Sequence, residues 1–223
     1  QLIPNKKYIF FSHTFKQQPY NRGLLRVILE KNIQLIDWEV ITNNKGQRLI
    51  AFGRYAGIVG CYNGFLGYGL KSGRYTLRRA HECEDRAEME EQLAHVDLPS
   101  NFKLVLTGAG RVGGGAIEVV RKMGLKCVSP EEFLMDDFNE PVYTQLGVGQ
   151  YNKRKDGGIF SKKEFYACPE KFESNFMSYA RVADMYVACH YWDSNAPYIF
   201  NREEAKSPEW KVKIVADISC DID

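Results

Sequence analysis

No sign of charge dominates this 223-residue chain: 30 lysines and arginines are matched by 28 aspartates and glutamates, leaving a formal charge of +2. So even a balance supplies no strong field for recruiting nucleic acid or an anionic membrane, and neither is expected as a partner. Metal-ligand patterns are missing too. Six cysteines lie scattered at 61, 83, 127, 168, 189 and 220 with no C-x-x-C pair, and none joins the four histidines at zinc spacing. No metal site is expected, and buried free thiols in a reducing cytoplasm account for the cysteines. The opening "QLIPNKKYIFF" lacks the basic start, long apolar core and small-residue cleavage site of a secretory signal, which again points to the cytoplasm. An uninterrupted apolar run is also lacking. The nearest imitation, Leu49 to Leu70, contains Arg54, Asn63 and glycines at 53, 57, 60, 64, 67 and 69. Arg54 and Asn63 are expensive in hydrocarbon, so this stretch is expected as a buried helix with small residues at close-packing positions.

What is present, an apolar content of 44%, suffices for one large or two small domains. Residues 8–12, "YIFFS", read as a strand ending at His13. Leu24, Leu25, Ile28 and Leu29 recur at helical spacing, with Asn32 as the stop. "IQLIDWEVI", 33–41, reads as a strand, and "TNNKGQ" as a hairpin turn into a further strand, "RLIAFG". The charged stretch from Leu77 to His95 reads as a connector helix, with "LPSN" as the hinge near residue 100.

Beyond the hinge, "LVLTGAGRVGGGAIEVV", 104–120, is an apolar run, a glycine-crowded turn and an apolar-periodic segment. Gly108, Gly110 and Gly113 fit G-x-G-x-x-G between a strand and a helix. The first permits the tight turn, the second lets a pyrophosphate approach the backbone, and the third lets helix and strand pack closely. With Arg111 and Val112 in its first turn, the helix offers free N–H groups and a positive dipole end to phosphates. The helix is expected to run to about Met123. "KCVS" then reads as the second strand, Pro130 opens a short acidic helix, residues 143–176 read as an insertion, and "DMYVACHYW" and "WKVKIVADISCDID" read as further strands. A ribose-reading residue belongs at the end of the second strand. Glu131 there favours NAD, whereas Ser129 with Lys153, Arg154 or Lys155 favours the 2′-phosphate of NADP; the sequence leaves the choice open.

A cofactor domain needs a second domain to hold substrate against it. The segments "FFSHTFK", "LIDWE", "GQRLIAFGRYAG", "LTGAGRVGGGA" and "VADISCD", in that order, resemble the lysine-ketoglutarate reductase and lysine-forming saccharopine dehydrogenase family, within the wider alanine dehydrogenase and transhydrogenase superfamily. The resemblance implies an α/β fold of two Rossmann-like lobes, the second a parallel-sheet NAD(P)-binding domain. It implies a partial substrate domain over 1–75, a connector over 76–100 and the cofactor domain over 101–223. Family members begin earlier, with a catalytic lysine, and continue past the "DIS-x-D" strand. The chain therefore resembles a fragment with its first lobe incomplete.

The family joins lysine to 2-oxoglutarate to give saccharopine, or the reverse, with NAD(P) as redox partner. On that resemblance His13 is the candidate acid/base, a group near neutral pKa being suited to proton transfer at an imine; a strand-end hydrogen bond is its alternative. Lys16 and Arg48 match positions that hold substrate carboxylates. Glu39 matches an acidic residue that modulates proton transfer, with a solvated strand carboxylate as the other reading. Asp221 matches an aspartate beside nicotinamide and substrate, while Asp217 orders the backbone. Tyr191 and Trp192 match residues lining the nicotinamide or substrate pocket, and His190 falls where that strand meets the cleft. The partners implied are a 2-oxo acid and an amino acid, with homo-oligomerisation left open. Alanine dehydrogenase or N-carboxyalkyl-ornithine synthase chemistry, and a non-catalytic NAD(P)-binding module, are the alternatives.

Overall fold

The computed structural model describes residues 2–219, and the chain falls into two compact units, Gln1–Phe52 and Gly53–Asp223. In the first, β1 (Lys7–Phe10) and β2 (Gln34–Asp37) pair in parallel, with Ile9 in register with Ile36. Parallel strands need a crossover, which α1 (Arg22–Glu30) supplies. Asn32 ends α1 as expected: at φ +48° it takes the left-handed conformation that asparagine tolerates, and its N–H donates to Leu29 O at 3.1 Å.

Beyond β2 the sequence expectation needs correction. The strand does not reach Ile41, because the Asp37 side chain accepts from Glu39 N and caps a 3-10 turn over Trp38–Val40. "RLIAFG" is not a strand either. The Asn43 carboxamide oxygen accepts from the backbone of both Lys45 and Gln47, closing a local loop in which only the bridge Thr42–Arg48 forms.

The second unit opens with α2 (Gly53–Ser72) and α3 (Arg86–Gln92). The central strand β3 (Lys103–Thr107) leads into α4 (Arg111–Lys122). Next come β4 (Lys126–Cys127), α5 (Pro130–Met135), β5 (Val142–Leu146), α6 (Val148–Tyr151), β6 (Asn152–Arg154), α7 (Lys162–Ala167) and β7 (Phe172–Ser174). The chain continues through α8 (Met177–Ala180), β8 (Met185–Ala188), α9 (Arg202–Lys206) and β9 (Ile214–Asp217). Five parallel strands form one sheet in the order β4-β5-β3-β8-β9, and β6 and β7 make a separate antiparallel pair. This is the Rossmann-type α/β architecture expected for the cofactor lobe, and the first unit contributes a β-α-β piece of the same kind.

The three central strands, β5, β3 and β8, are buried on both faces, as parallel strands require. Leu104 and Leu106 enter one core with Ile58, Tyr62 and Phe65 of α2, whereas Val105 enters the other with Phe133, Phe176 and Tyr186. The strand expected at "KCVS" shrinks to β4 at the sheet edge. Pro130 brings no N–H to a ladder and Ser129 is taken up capping α5, so pairing stops early. β5, read from sequence as part of an insertion, lies beside β3 instead.

The glycine-rich stretch is the buried helix expected, and no helix among the described residues is long and apolar enough to cross a membrane. Grouped with the first domain on sequence, α2 packs in the second unit. A Cβ on Gly57 would strike Val112 O, and one on Gly115 of α4 would strike Arg54 O. Further along, Gly60 lies under Ile218 and Gly64 under Met185 and Ala216. The glycines thus let α2 lie directly on α4 and the β8–β9 edge. Gly57→Ala and Gly115→Ala should each destabilise the fold by about 1–3 kcal/mol or more, because a backbone must move. Gly114→Ala, with open space around it on the same helix, should stabilise by about 0.5–1 kcal/mol. Denaturant midpoints check both, and equal effects at the three positions would contradict this packing.

Candidate active site

At the carboxyl end of β3 the three loop glycines occupy the positions the motif demands. Gly108 sits at φ +92°, and a Cβ there would lie 2.6 Å from Cys189 O and 2.7 Å from His190 Cα. A Cβ on Gly113 would strike Gly108 O, so helix and loop touch at that point. Gly110 differs, since nothing lies within 4 Å of where its Cβ would be. It is the N-cap residue of α4 and no side chain caps the helix, so the first-turn N–H groups are left for a ligand. A cleft of about 550 Å³ opens here, lined by Gly108, Gly110, Arg111 and Val112 on one side and by Gly147, Tyr151, Lys162 and Tyr191 on others. These features fit a dinucleotide pyrophosphate.

The ribose end departs from expectation. Ser129 and Glu131 follow β4, one strand further from the glycine loop than anticipated, and neither lines the cleft. Ser129 Oγ accepts from Glu132 N at 3.1 Å while Glu132 answers at Ser129 N, a capping box for α5. Lys153 pairs with Glu173, Arg154 with Asp156 and Glu164, and Lys155 donates to Glu170 O, so all three serve the β6–β7 region. The position beside β3 belongs to β5. Its Gln145 donates from Nε2 to Gly108 O at 2.9 Å and steadies the glycine turn. Sequence reasoning missed Gln145, because its role depends on a strand neighbour that no local motif announces.

Past β8, Tyr191 lines the glycine cleft and is 77% exposed. Trp192 turns instead to an adjoining cavity of about 470 Å³, stacking on Tyr198 at 5.4 Å and donating from Nε1 to Pro197 O at 3.1 Å. His190, given no role from sequence, lines both spaces, and its Nδ1 lies 2.8 Å from Thr107 Oγ1. Burial pushes the imidazole below its ordinary value, and Asp217 pulls the other way. Asp217 accepts from Ser219 N and Oγ and so orders the strand end. Asp221 lies outside the described residues.

In the first unit, His13, Lys16 and Arg48 converge on one carboxylate. Glu39 is only 2% exposed at its side chain, and its oxygens lie 2.8 Å from His13 Nδ1, 3.5 Å from Lys16 Nζ and 3.7 Å from Arg48 Nη1. The last two distances exceed a close charge-assisted hydrogen bond, so these half-exposed cations keep donors for a ligand. Lys16 and Arg48 thus both face the Glu39 carboxylate, with the Asp37 carboxylate beneath it. Glu39 is therefore a buried hub on a 3-10 turn and not a solvated strand carboxylate. Below it, Asp37 accepts from Glu39 N at 2.9 Å and from Ser12 Oγ. The Phe11 ring packs against His13, Trp38 and Phe52 and lies 5.9 Å from the Arg48 guanidinium.

Curated relatives match nearly the whole chain. It is 30% identical over 229 residues to the mitochondrial alpha-aminoadipic semialdehyde synthase of Bos taurus, covering 93% of this chain and 25% of that protein. To the saccharopine dehydrogenase [NAD(+), L-lysine-forming] of Candida glabrata it is 25% identical, covering 96% of this chain and 52% of that one. The chain is a homologue of both enzyme groups. It spans about a quarter of the bovine relative's length and about half of the fungal one's. No family model matches. A solved L-alanine dehydrogenase superposes with a TM-score of 0.44 at 11% identity, over 92% of this chain and 47% of that one.

Apart from Asp221, the residues expected from the resemblance thus lie in two regions, one in each unit. The Asp37 carboxyl underpins the first. Burial works to raise it, but hydrogen bonds from Ser12 and Glu39 prevail and hold it below the ordinary carboxylate range. A carboxyl depressed on folding stabilises the fold above its unfolded value, and that stabilisation is lost as pH falls through the folded value. Unfolding free energy measured from neutral to strongly acid pH should show this loss, and Asp37→Asn should remove part of it. Superimposable acid limbs for the two proteins would exclude Asp37 as the source.

Proposed function

We propose that the chain carries the cofactor lobe and part of the substrate lobe of an NAD(P)-dependent oxidoreductase that interconverts lysine plus 2-oxoglutarate with saccharopine. The observation that carries this reading is the glycine loop: an open face at Gly110 and uncapped helix N–H groups, in a chain homologous to enzymes named for saccharopine and aminoadipic semialdehyde. When bound, the reduced dinucleotide supplies a hydride. This chain's own residues hold its pyrophosphate at Gly108, Gly110, Arg111, Val112 and Gly113. Lys16 and Arg48 hold a carboxylate of the oxo acid, His13 moves the proton, and Glu39 fixes the His13 ring and offsets neighbouring charge. Asp221 is assigned beside the reacting groups on the family resemblance alone. The cysteines described are all free thiols, which suits a reducing compartment.

For the cofactor, the charged groups among the described cleft-lining residues are Arg111 and Lys162, with no carboxylate at the tip of β5 to receive a ribose 2′-hydroxyl. This favours the 2′-phosphate, and hence NADPH.

Calorimetric titration of the full-length protein should therefore give tighter binding of NADPH than of NADH, by about tenfold, a gap that Lys162→Ala narrows. Turnover should require lysine and 2-oxoglutarate. Oxidation of cofactor with pyruvate and ammonia alone would move the assignment to alanine dehydrogenase chemistry, and binding without any turnover would leave a cofactor-sensing module. His13→Ala should lower turnover by about 10²-fold or more with cofactor affinity retained; unchanged turnover would strip His13 of its role.

A further inference from the structure

Between β3 and β8 the sheet changes direction, the chain passing from β3 to β4 and β5 on one side and then to β8 and β9 on the other. Ligands of open α/β sheets sit at the carboxyl ends of strands at such a point. His190 stands there. Its backbone lies against Gly108, and its ring borders the glycine cleft, the 470 Å³ cavity beside it and a third cavity of about 230 Å³.

Behind the ring runs a chain of hydroxyls. His190 Nδ1 lies 2.8 Å from Thr107 Oγ1, and Thr107 Oγ1 lies 2.9 Å from Tyr186 OH. Thr107 and Tyr186 are 0% and 1% exposed. Burial drives the Tyr186 phenol far above its ordinary value, so it keeps its proton. The hydrogen bonds can be ordered in two directions. If Nδ1 carried the ring proton, it would donate to Thr107; Thr107 would then either donate to Tyr186, leaving the phenol O–H with no acceptor among the described residues, or accept from both neighbours and leave its own hydroxyl proton without one. A buried donor left unpaired bears its full desolvation cost. In the opposite order Tyr186 donates to Thr107, Thr107 donates to Nδ1, and every hydroxyl is satisfied. Nδ1 is then an acceptor and the proton sits on Nε2, the edge of the ring away from Thr107.

We propose that His190 is a cofactor-positioning residue, neutral and held as the Nε2–H tautomer by Thr107 and Tyr186, donating to an oxygen on the nicotinamide-riboside half of the dinucleotide. That half is the one expected over the β8–β9 side, the adenosine half lying over β3–β5. The inference rests on the dinucleotide reading of the cleft.

Titration of the full-length protein with NADPH and with ADP, which lacks nicotinamide riboside, separates the two claims. His190→Leu should raise the Kd for NADPH about 3- to 10-fold and leave that for ADP unchanged. His190→Gln, whose amide reaches the place of Nε2, should recover part of the loss. Imidazole ¹⁵N shifts of the ligand-free wild type should report the Nε2–H tautomer, and Tyr186→Phe should turn it into a mixture. The proposal is overturned by an Nδ1–H tautomer in the wild type, by undiminished NADPH affinity in His190→Leu, or by equal losses for NADPH and ADP. Failure of the wild type to bind either nucleotide would remove the cleft reading itself, and this inference with it.

Discussion

A glycine on each of two helices lets α2 and α4 approach until backbone meets backbone, and the second unit is organised around that contact. Gly57 lies under Val112 O and Gly115 under Arg54 O, so neither helix can slide or rotate without driving a carbonyl into its neighbour. The position of α4 in turn sets the position of its N-terminus, and with it the open face at Gly110. Gly113, one turn along, fastens the same helix to Gly108 at the end of β3. The rest of α2 continues over Met185, Ala216 and Ile218, which ties the β8–β9 edge to the same support. A helix that precedes the cofactor motif by some fifty residues is therefore part of the motif's scaffold. Its six glycines lower helix propensity, roughly 1 kcal/mol each relative to alanine, a loss offset by burial of Ile58, Tyr62, Phe65 and Tyr68.

The parts of this arrangement that were legible in the sequence are those set by local chemistry. The glycine loop could be read because each glycine answers a separate steric demand within a few residues. Asn32 could be read as a stop because few residues other than glycine take the left-handed conformation readily. The membrane-like stretch resolved into a buried helix because Arg54 and Asn63 would be intolerable in lipid. What escaped were the consequences of strand order. Nothing in "KCVS" says that pairing will end after Cys127, and nothing in "VYTQL" says that it will insert beside β3. Once β5 takes that place, Gly147, Tyr151 and Lys162 line the cleft and Ser129 and Glu131 do not. The error at "DWEVI" had a different origin: its alternation suits a strand, but Asp37 offers the backbone a side-chain acceptor, and a turn forms around it.

That turn is what makes Glu39 buried. On a strand it would have pointed to one side of a thin two-stranded pair. On the turn it lies within reach of His13 from one loop and Arg48 from another. Removing one partner from a buried carboxylate is costlier than its mutual attraction alone suggests, because the remaining charge has lost its solvent without regaining a full set of partners. The side chains of His13, Lys16 and Arg48 are nevertheless about half exposed, so the cluster has an anchored inner carboxylate and an outer ring open to ligand.

The two candidate centres thus handle charge in opposite ways. Around Glu39, polar side chains with donors left over gather on a buried carboxylate, which suits the carboxylates of an oxo acid and an amino acid in the proposed reaction. Around the glycine loop, the proposed phosphate site offers backbone N–H groups with Arg111 and Lys162 beside them, while the side chain nearest the strand crossover, His190, is pushed toward neutrality by its burial. A charged imidazole there would add to the attraction for phosphates but would discriminate poorly between the two ends of a dinucleotide. A neutral one with a fixed donor acts only on an acceptor placed at the right distance and angle. Orientation of the cofactor, more than its retention, is then the role proposed for Tyr186, Thr107 and His190. Their cost is the burial of two hydroxyls, offset because each has a partner.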